Sequence, residues 1–157
     1  MLENWLSRPH VAQWWSPTPT AADLEEEYGP AIAGIGPTQC FIALADGVEI
    51  GFTQSYVAAE CHQDGWWLDE HDPGVVGIDQ FLADGDRLGQ GLGTAMVSSF
   101  VKQLFEKLGV TRIQTDPDPS NGRAIRCYEK AGFRAVRKLT TLDGAALLMY
   151  CDRPGLR

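Results

Sequence analysis

The strongest periodic signal in the chain is an apolar stripe that recurs every three or four positions over residues 91–108. Leu92, Met96, Val97, Phe100, Val101, Leu104, Phe105 and Leu108 form it, and the spacing predicts a long amphipathic helix. Around it the pattern shortens to strand-like runs. Residues 40–44 and 48–58 flank the turn signal Asp46-Gly47 and predict a hairpin. Residues 75–82 predict a strand buried on both faces except near Asp79, and 111–115 a short strand. Residues 121–131 predict a second helix, which Gly132 terminates. Residues 133–141 and 145–150 predict a last hairpin around Asp143-Gly144.

The beginning of the chain is helical in pattern. Leu2, Trp5 and Leu6 share a face, Pro9 ends that turn, and residues 11–15 predict a second short helix before a turn at Pro17-Thr18-Pro19. Thr20 caps a helix through Tyr28, with Asp23 and three glutamates near its start, and Pro30, Gly34, Gly36 and Pro37 break the pattern. Residues 62–74 form a polar loop holding Trp66, Trp67 and four acids. Helices, then a hairpin, then strand–helix–strand–helix–strand–strand make one α/β domain over 1–157, built on a mixed, mostly antiparallel sheet flanked by helices.

Charge divides this domain in two. The net charge is −8, yet from Pro9 to Asp86 there is no Lys or Arg against 14 acids, and from Arg87 onward there are 12 basic residues against 6 acids. Such asymmetry suits two ligands of opposite sign: a polyphosphate on the basic half and an organic polycation on the acidic half, with nucleic acid disfavoured. The same acids also keep a surface soluble. No run approaches the roughly 18 apolar residues of a membrane helix, and Met1 to Arg8 lacks the basic and apolar regions of a signal peptide. Cysteines at 40, 61, 127 and 151 show neither zinc nor disulfide spacing, so no metal is expected and isolated thiols fit a reducing cytoplasm. His10, His62 and His71 show no metal or triad spacing and read as surface or loop residues.

Two segments carry candidate chemistry. Leu88-Gly89-Gln90-Gly91-Leu92-Gly93-Thr94 follows a strand and opens the long helix. Unpaired N–H groups at a helix start, approached through glycines, bind phosphates. A P-loop is excluded because no Gly-Lys-Ser/Thr occurs, and a dinucleotide-binding unit is disfavoured because Asp116 leads into prolines. The second segment runs from Asn121 to Phe133. Asn121 and Tyr128 are two helical turns apart and share a face. Asn121 can bind ligand amides or cap its own helix. Tyr128 can protonate a leaving thiolate, although a helical tyrosine is also a common core residue.

Together Gly91-x-Gly93 and Asn121-x-x-Ala124-x-x-x-Tyr128-Glu129-Lys130-x-Gly132-Phe133 resemble the acyl-CoA site of the GCN5-related N-acetyltransferases (GNAT). Gln54-Ser-Tyr56-Val57, Gly65-Trp66-Trp67, Asp72-Pro-Gly74, residues 74–82 and residues 113–121 are similar to the aminoglycoside 6′-N-acetyltransferases within that family. The resemblance implies a GNAT fold and acetyl transfer from acetyl-CoA to the 6′-amine of an aminoglycoside. It implies that Leu88, Gly89, Gln90, Gly91, Leu92, Gly93, Thr94, Asn121 and Arg126 bind the co-substrate, with Arg123 a further phosphate candidate. Asp79 would hold the acceptor amine and act as its base, and Tyr128 would be the general acid. Asp116 would be a second acidic contact. Asp64, Trp66 and Trp67, with Asp69 and Glu70, would form the acceptor wall. For Asp79 and Asp116, capping of strand-end turns is the structural alternative.

Two departures accompany the resemblance. Leu88 stands where the family's phosphate motif usually has Gln or Arg, with Arg87 one residue out of register. Family members usually begin with a strand ahead of the Trp5-Leu6 segment, so the first strand is missing or the start is internal. That would leave an edge beside the strand at Cys40. The family pattern implies a monomer, and a free edge would permit a dimer. Two other readings remain open: a related enzyme acting on a siderophore lysine or polyamine, and a non-catalytic acyl-CoA-binding domain.

Overall fold

The computed structural model describes residues 1–15 and 20–155. Three helices lead: α1 (Leu2–Leu6), α2 (Pro9–Ala12) and α3 (Ala21–Ile32). The hairpin of β1 (Thr38–Ala45) and β2 (Val48–Val57) follows, then β3 (Val75–Leu82), α4 (Leu92–Glu106), β4 (Arg112–Thr115), α5 (Gly122–Lys130), β5 (Arg134–Thr141) and β6 (Gly144–Asp152). The strands form one six-stranded sheet in the order β1-β2-β3-β4-β6-β5. Only β3 and β4 are parallel. The expected mixed, mostly antiparallel sheet is therefore observed. Among the described residues β1 pairs only with β2 and forms one edge.

Local chemistry explains most boundaries. Thr20 and Asp23 form a reciprocal capping box at the start of α3. Pro30 does not break that helix, as the sequence reading expected. It sits in the last turn, and the helix continues to Ile32. One missing donor near a helix end costs less than one in its middle, and the buried Tyr28 anchors the preceding turn. Pro9 starts α2 at its first turn, where its missing N–H is harmless. The stripe on α4 is real up to Phe105, but Leu108 lies beyond the helix and is fully exposed. The expected turn at residues 17–19 falls outside the described residues.

Each face of the sheet has its own core. Val97, Phe100, Val101 and Leu104 of α4 pack with Val76, Ile78, Ile113, Tyr128, Phe133 and Met149. On the opposite face Trp5, Leu6, Val11 and Tyr28 cover Phe52 and Phe81, whose rings stack at 5.5 Å. Each fully buried aliphatic or aromatic side chain contributes about 1.5–3 kcal/mol.

The sheet has one irregularity at its centre. β3 pairs with β4 only through Val75, Val76 and Gly77 opposite Arg112, Ile113 and Gln114, yet β3 runs on to Leu82 beside β2. After Thr115 the chain leaves β3. Pro117 and Pro119 have no N–H to offer it, and the Pro117 carbonyl instead accepts the Leu147 N–H of β6 at 2.8 Å. The central parallel pair thus forks, leaving the β4-side edge of residues 78–82 without a strand partner.

Candidate active site

The fork carries the two aspartates. Asp79 and Asp116 each lie two residues beyond the last parallel pair, Gly77 opposite Gln114, so strand alternation sends both to the same face. Asp79 receives a hydrogen bond from Gln54 Nε2 at 2.9 Å across the β2–β3 ladder. Among the described residues the only ion pairs are those of Asp152 with Arg112 and Arg134, so neither fork carboxylate is neutralised. Among the described residues neither accepts a backbone N–H, which argues against the turn-capping alternative for both. Burial raises both carboxyls above the ordinary carboxylate range. The Gln54 bond opposes the rise at Asp79, the Asp79 charge adds to it at Asp116, and Asp143 adds to both.

A cleft of about 410 Å³ opens on this face. One wall is the loop from Gly65 to Glu70 with Trp66 and Trp67; the floor includes Gln114 and Leu148; the far side is β5 and the turn at Thr141 and Leu142. The loop is tied to the sheet. Trp67 Nε1 donates to the Tyr56 hydroxyl at 3.2 Å, and the hydroxyl end of the Tyr56 ring lies against Gly77. A Cβ on Gly77 would stand 2.1 Å from that ring, so only glycine fits there.

A second cleft of about 520 Å³ opens on the α4–α5 side. Gly89, Gly91, Gly93 and Thr94 border it, with Asn121, Arg123, Arg126 and Tyr128 from α5 and Gln80 from β3. Gly91 caps α4 at φ +82° with no side-chain cap, so the first N–H groups of the helix are left for a ligand. The free backbone edge of the fork, these donors and the two arginines fit the amides and phosphates of CoA. Tyr128 is buried, with its ring edge-on to Phe133 at 5.4 Å, and its hydroxyl accepts a hydrogen bond from Gln80 Nε2. Burial raises the phenol well above its ordinary value; Thr115 opposes this, and Asp79, Cys127 and Asp116 add to it.

Residues 1–141 match the family model described as Acetyltransferase (GNAT) domain. The chain belongs to the GNAT acetyltransferases. It is 51% identical to aminoglycoside N(6′)-acetyltransferase type 1 of Klebsiella pneumoniae, over 98% of this chain and 77% of that protein. A kanamycin resistance protein of Rhizobium radiobacter is 60% identical over 56% of this chain and 82% of its own length. The crystal structure of AAC(6′)-Ib with coenzyme A and kanamycin superposes with a TM-score of 0.92 at 51% identity, covering 98% of this chain and 88% of that one.

Within this GNAT domain the expected residues divide. Asp79 and Asp116 share one face of the fork but line neither cleft, Tyr128 borders the second cleft, and Trp66 and Trp67 line the first cleft with Asp69 and Glu70. Asp64 does not join that lining; it closes a short 3-10 turn (His62–Asp64) and is solvent-exposed. On the other side Leu88, Gly89, Gly91, Gly93 and Thr94 border the second cleft, but Gln90 and Leu92 do not. Gln90 turns back to the Asp86 carbonyl at 2.9 Å, and Leu92 packs with Ile50, Leu82 and Met96. Asn121 spends its side-chain oxygen on the Ala124 N–H at 3.1 Å, the capping option.

Three residues escaped the sequence reading. Asp143 looked like a turn residue; its N–H donates to Thr141 Oγ1 at 3.2 Å in the β5–β6 turn whose Thr141 and Leu142 line the first cleft, and its charge adds to the upward shift of Asp79 and Asp116. Gln80 had no signal beyond its position after Asp79. His10, expected at the surface, bonds the Leu82 carbonyl at 2.9 Å and borders the second cleft.

Proposed function

We propose that this GNAT enzyme transfers the acetyl group of acetyl-CoA to the 6′-amine of an aminoglycoside, a multiply charged small molecule, and so confers resistance to it. The observation that carries the reading is the Asp79–Asp116 pair at the fork, which has no ion-pair partner among the described residues and shares its face of the sheet with the tryptophan-walled cleft. An ammonium has no lone pair, so it must lose a proton before it attacks a thioester. Asp79, its carboxyl raised, takes that proton directly or through water. Asp116, Asp143 and the acids of the Trp66-Trp67 loop hold the other ammonium groups, and the indole faces favour cations.

The β4-side edge of residues 78–82 and the glycine loop position acetyl-CoA so that its thioester crosses the fork. Direct attack needs no nucleophilic side chain, and alignment of the two reactants supplies much of the acceleration. The Tyr128 hydroxyl, whose oxygen accepts from Gln80 Nε2, is the proton donor for the departing sulfur. A phenol is protonated at neutral pH, so its proton is available when the thiolate forms. Arg123 and Arg126 hold phosphates of the same co-substrate.

Both clefts are built from one chain, which supports a monomer as the working unit. The four thiols are free, in keeping with a reducing cytoplasm. The test is thiol release from acetyl-CoA with kanamycin and with an analogue bearing a hydroxyl in place of the 6′-amine. Release with kanamycin alone supports the assignment; equal release with both, or none with either, rejects it.

A further inference from the structure

We infer that His62 is a positioning residue for the acceptor: its ring staples the loop that carries Trp66 and Trp67. His62 Nε2 lies 3.0 Å from the Trp67 carbonyl and 2.8 Å from the Glu70 carbonyl. Carbonyls only accept, so Nε2 carries the hydrogen and donates to both. The Glu70 N–H donates to the same Trp67 carbonyl at 2.8 Å, which closes the four residues 67–70 into a turn. His62 therefore ties both ends of that turn from inside. The ring of His71 stands edge-on to His62 at 5.2 Å and 83°.

The turn needs this support. Trp67 has a φ of +52°, a left-handed conformation that a bulky aromatic residue rarely adopts. Such strain persists only where surrounding contacts over-determine it, and it gathers at ligand-binding sites. Trp67 is held at two points: its carbonyl by His62 and its indole by the Tyr56 hydroxyl. The backbone tie sets where the loop runs, and the indole tie sets how the ring faces the cleft. Without the His62 donor, Trp67 can relax to an ordinary backbone conformation, and the wall it forms moves.

His62 borders neither cleft, so it acts through Trp67 rather than on the substrate. Its removal should therefore weaken acceptor binding and leave the acetyl-CoA side alone. The choice of kanamycin as probe rests on the aminoglycoside reading, whereas the loop staple does not.

The experiment compares wild type, His62→Ala and His62→Gln by steady-state kinetics and by amide hydrogen exchange across residues 62–72. Glutamine restores a donor amide with two hydrogens. His62→Ala should raise the kanamycin KM about tenfold while kcat and the acetyl-CoA KM stay within about twofold. It should speed exchange in residues 62–72 and nowhere else, and His62→Gln should recover most of both effects. An unchanged KM with unchanged exchange overturns the inference. So does a rise in both KM values with a general fall in Tm, or a glutamine variant that folds yet behaves like alanine. If wild type turns over no kanamycin, the substrate reading fails; the exchange comparison then decides the staple alone.

Discussion

Gln54 Nε2 donates to Asp79 Oδ2 at 2.9 Å, and among the described residues this is the one hydrogen bond the carboxylate receives. The partner is a neutral amide rather than a cation. Asp79 is therefore oriented without an ion-pair partner among the described residues, and its other oxygen accepts no hydrogen bond from them. A lysine or arginine at position 54 would hold the same geometry and remove the attraction for an ammonium group.

The raised carboxyls set the pH behaviour. Asp79 and Asp116 bind protons more tightly than free carboxylates, chiefly through burial. As pH falls they are neutralised early, which removes both the cation trap and the base. The acidic limb of kcat/KM should therefore lie above the ordinary carboxylate pKa of about 4. The limb in kcat should lie lower, because bound ammonium groups favour the carboxylates in the complex. Steady-state pH profiles with kanamycin check this; coincident limbs near pH 4 would contradict it.

The same shifts predict a stability effect. Above the unfolded carboxylate pKa the folded chain holds a proton on the pair that the unfolded chain has lost. Stability should fall as pH rises from that value through the raised folded pKa, and stay reduced above it. Asp116→Asn removes one charge from the pair. It should raise Tm at pH 8, by about 2–4 °C for each kcal/mol relieved, and leave Tm at pH 4 unchanged. Thermal melts at the two pH values, without ligand, supply the comparison. The same variant should raise the kanamycin KM.

Tyr128→Phe keeps the ring packed against Phe133 and deletes only the proton donor. kcat should fall about 10²-fold or more, while CoA binding measured by calorimetry changes little. Equal losses in turnover and CoA affinity would assign Tyr128 to packing alone.

Gly77→Ala drives a methyl group into the Tyr56 ring. Tyr56 holds the Trp67 indole, so displacement should pass to the acceptor wall. A stability loss of about 1–3 kcal/mol should accompany a raised kanamycin KM, with the acetyl-CoA KM unchanged. Denaturant melts and kinetics on one preparation check both.

Part of the arrangement proposed as the site was legible before folding because its spacing is local. The helix start at Gly91 and Gly93, and the helix face shared by Asn121 and Tyr128, follow from short-range spacing. So did the strands, apart from their ends and the passage of α3 through Pro30. What stayed hidden depends on contacts across the sheet. Gln54 meets Asp79 from 25 positions away, and Gln80 meets Tyr128 from 48. Asp143 carried the signature of a hairpin turn, which is also true, and only the fold brings its charge near Asp79 and Asp116. Asp64 shows the converse. It sits three residues from Trp67 in the chain, but the short 3-10 turn faces it to solvent.

The most direct measurement is kcat/KM of Asp79→Asn with kanamycin and saturating acetyl-CoA. Asparagine can still accept from Gln54 but cannot take a proton. A fall of about 10²-fold or more, with the acetyl-CoA KM unchanged, is the expected result. A kcat/KM equal to wild type would show that the amine is deprotonated elsewhere and would contradict the account.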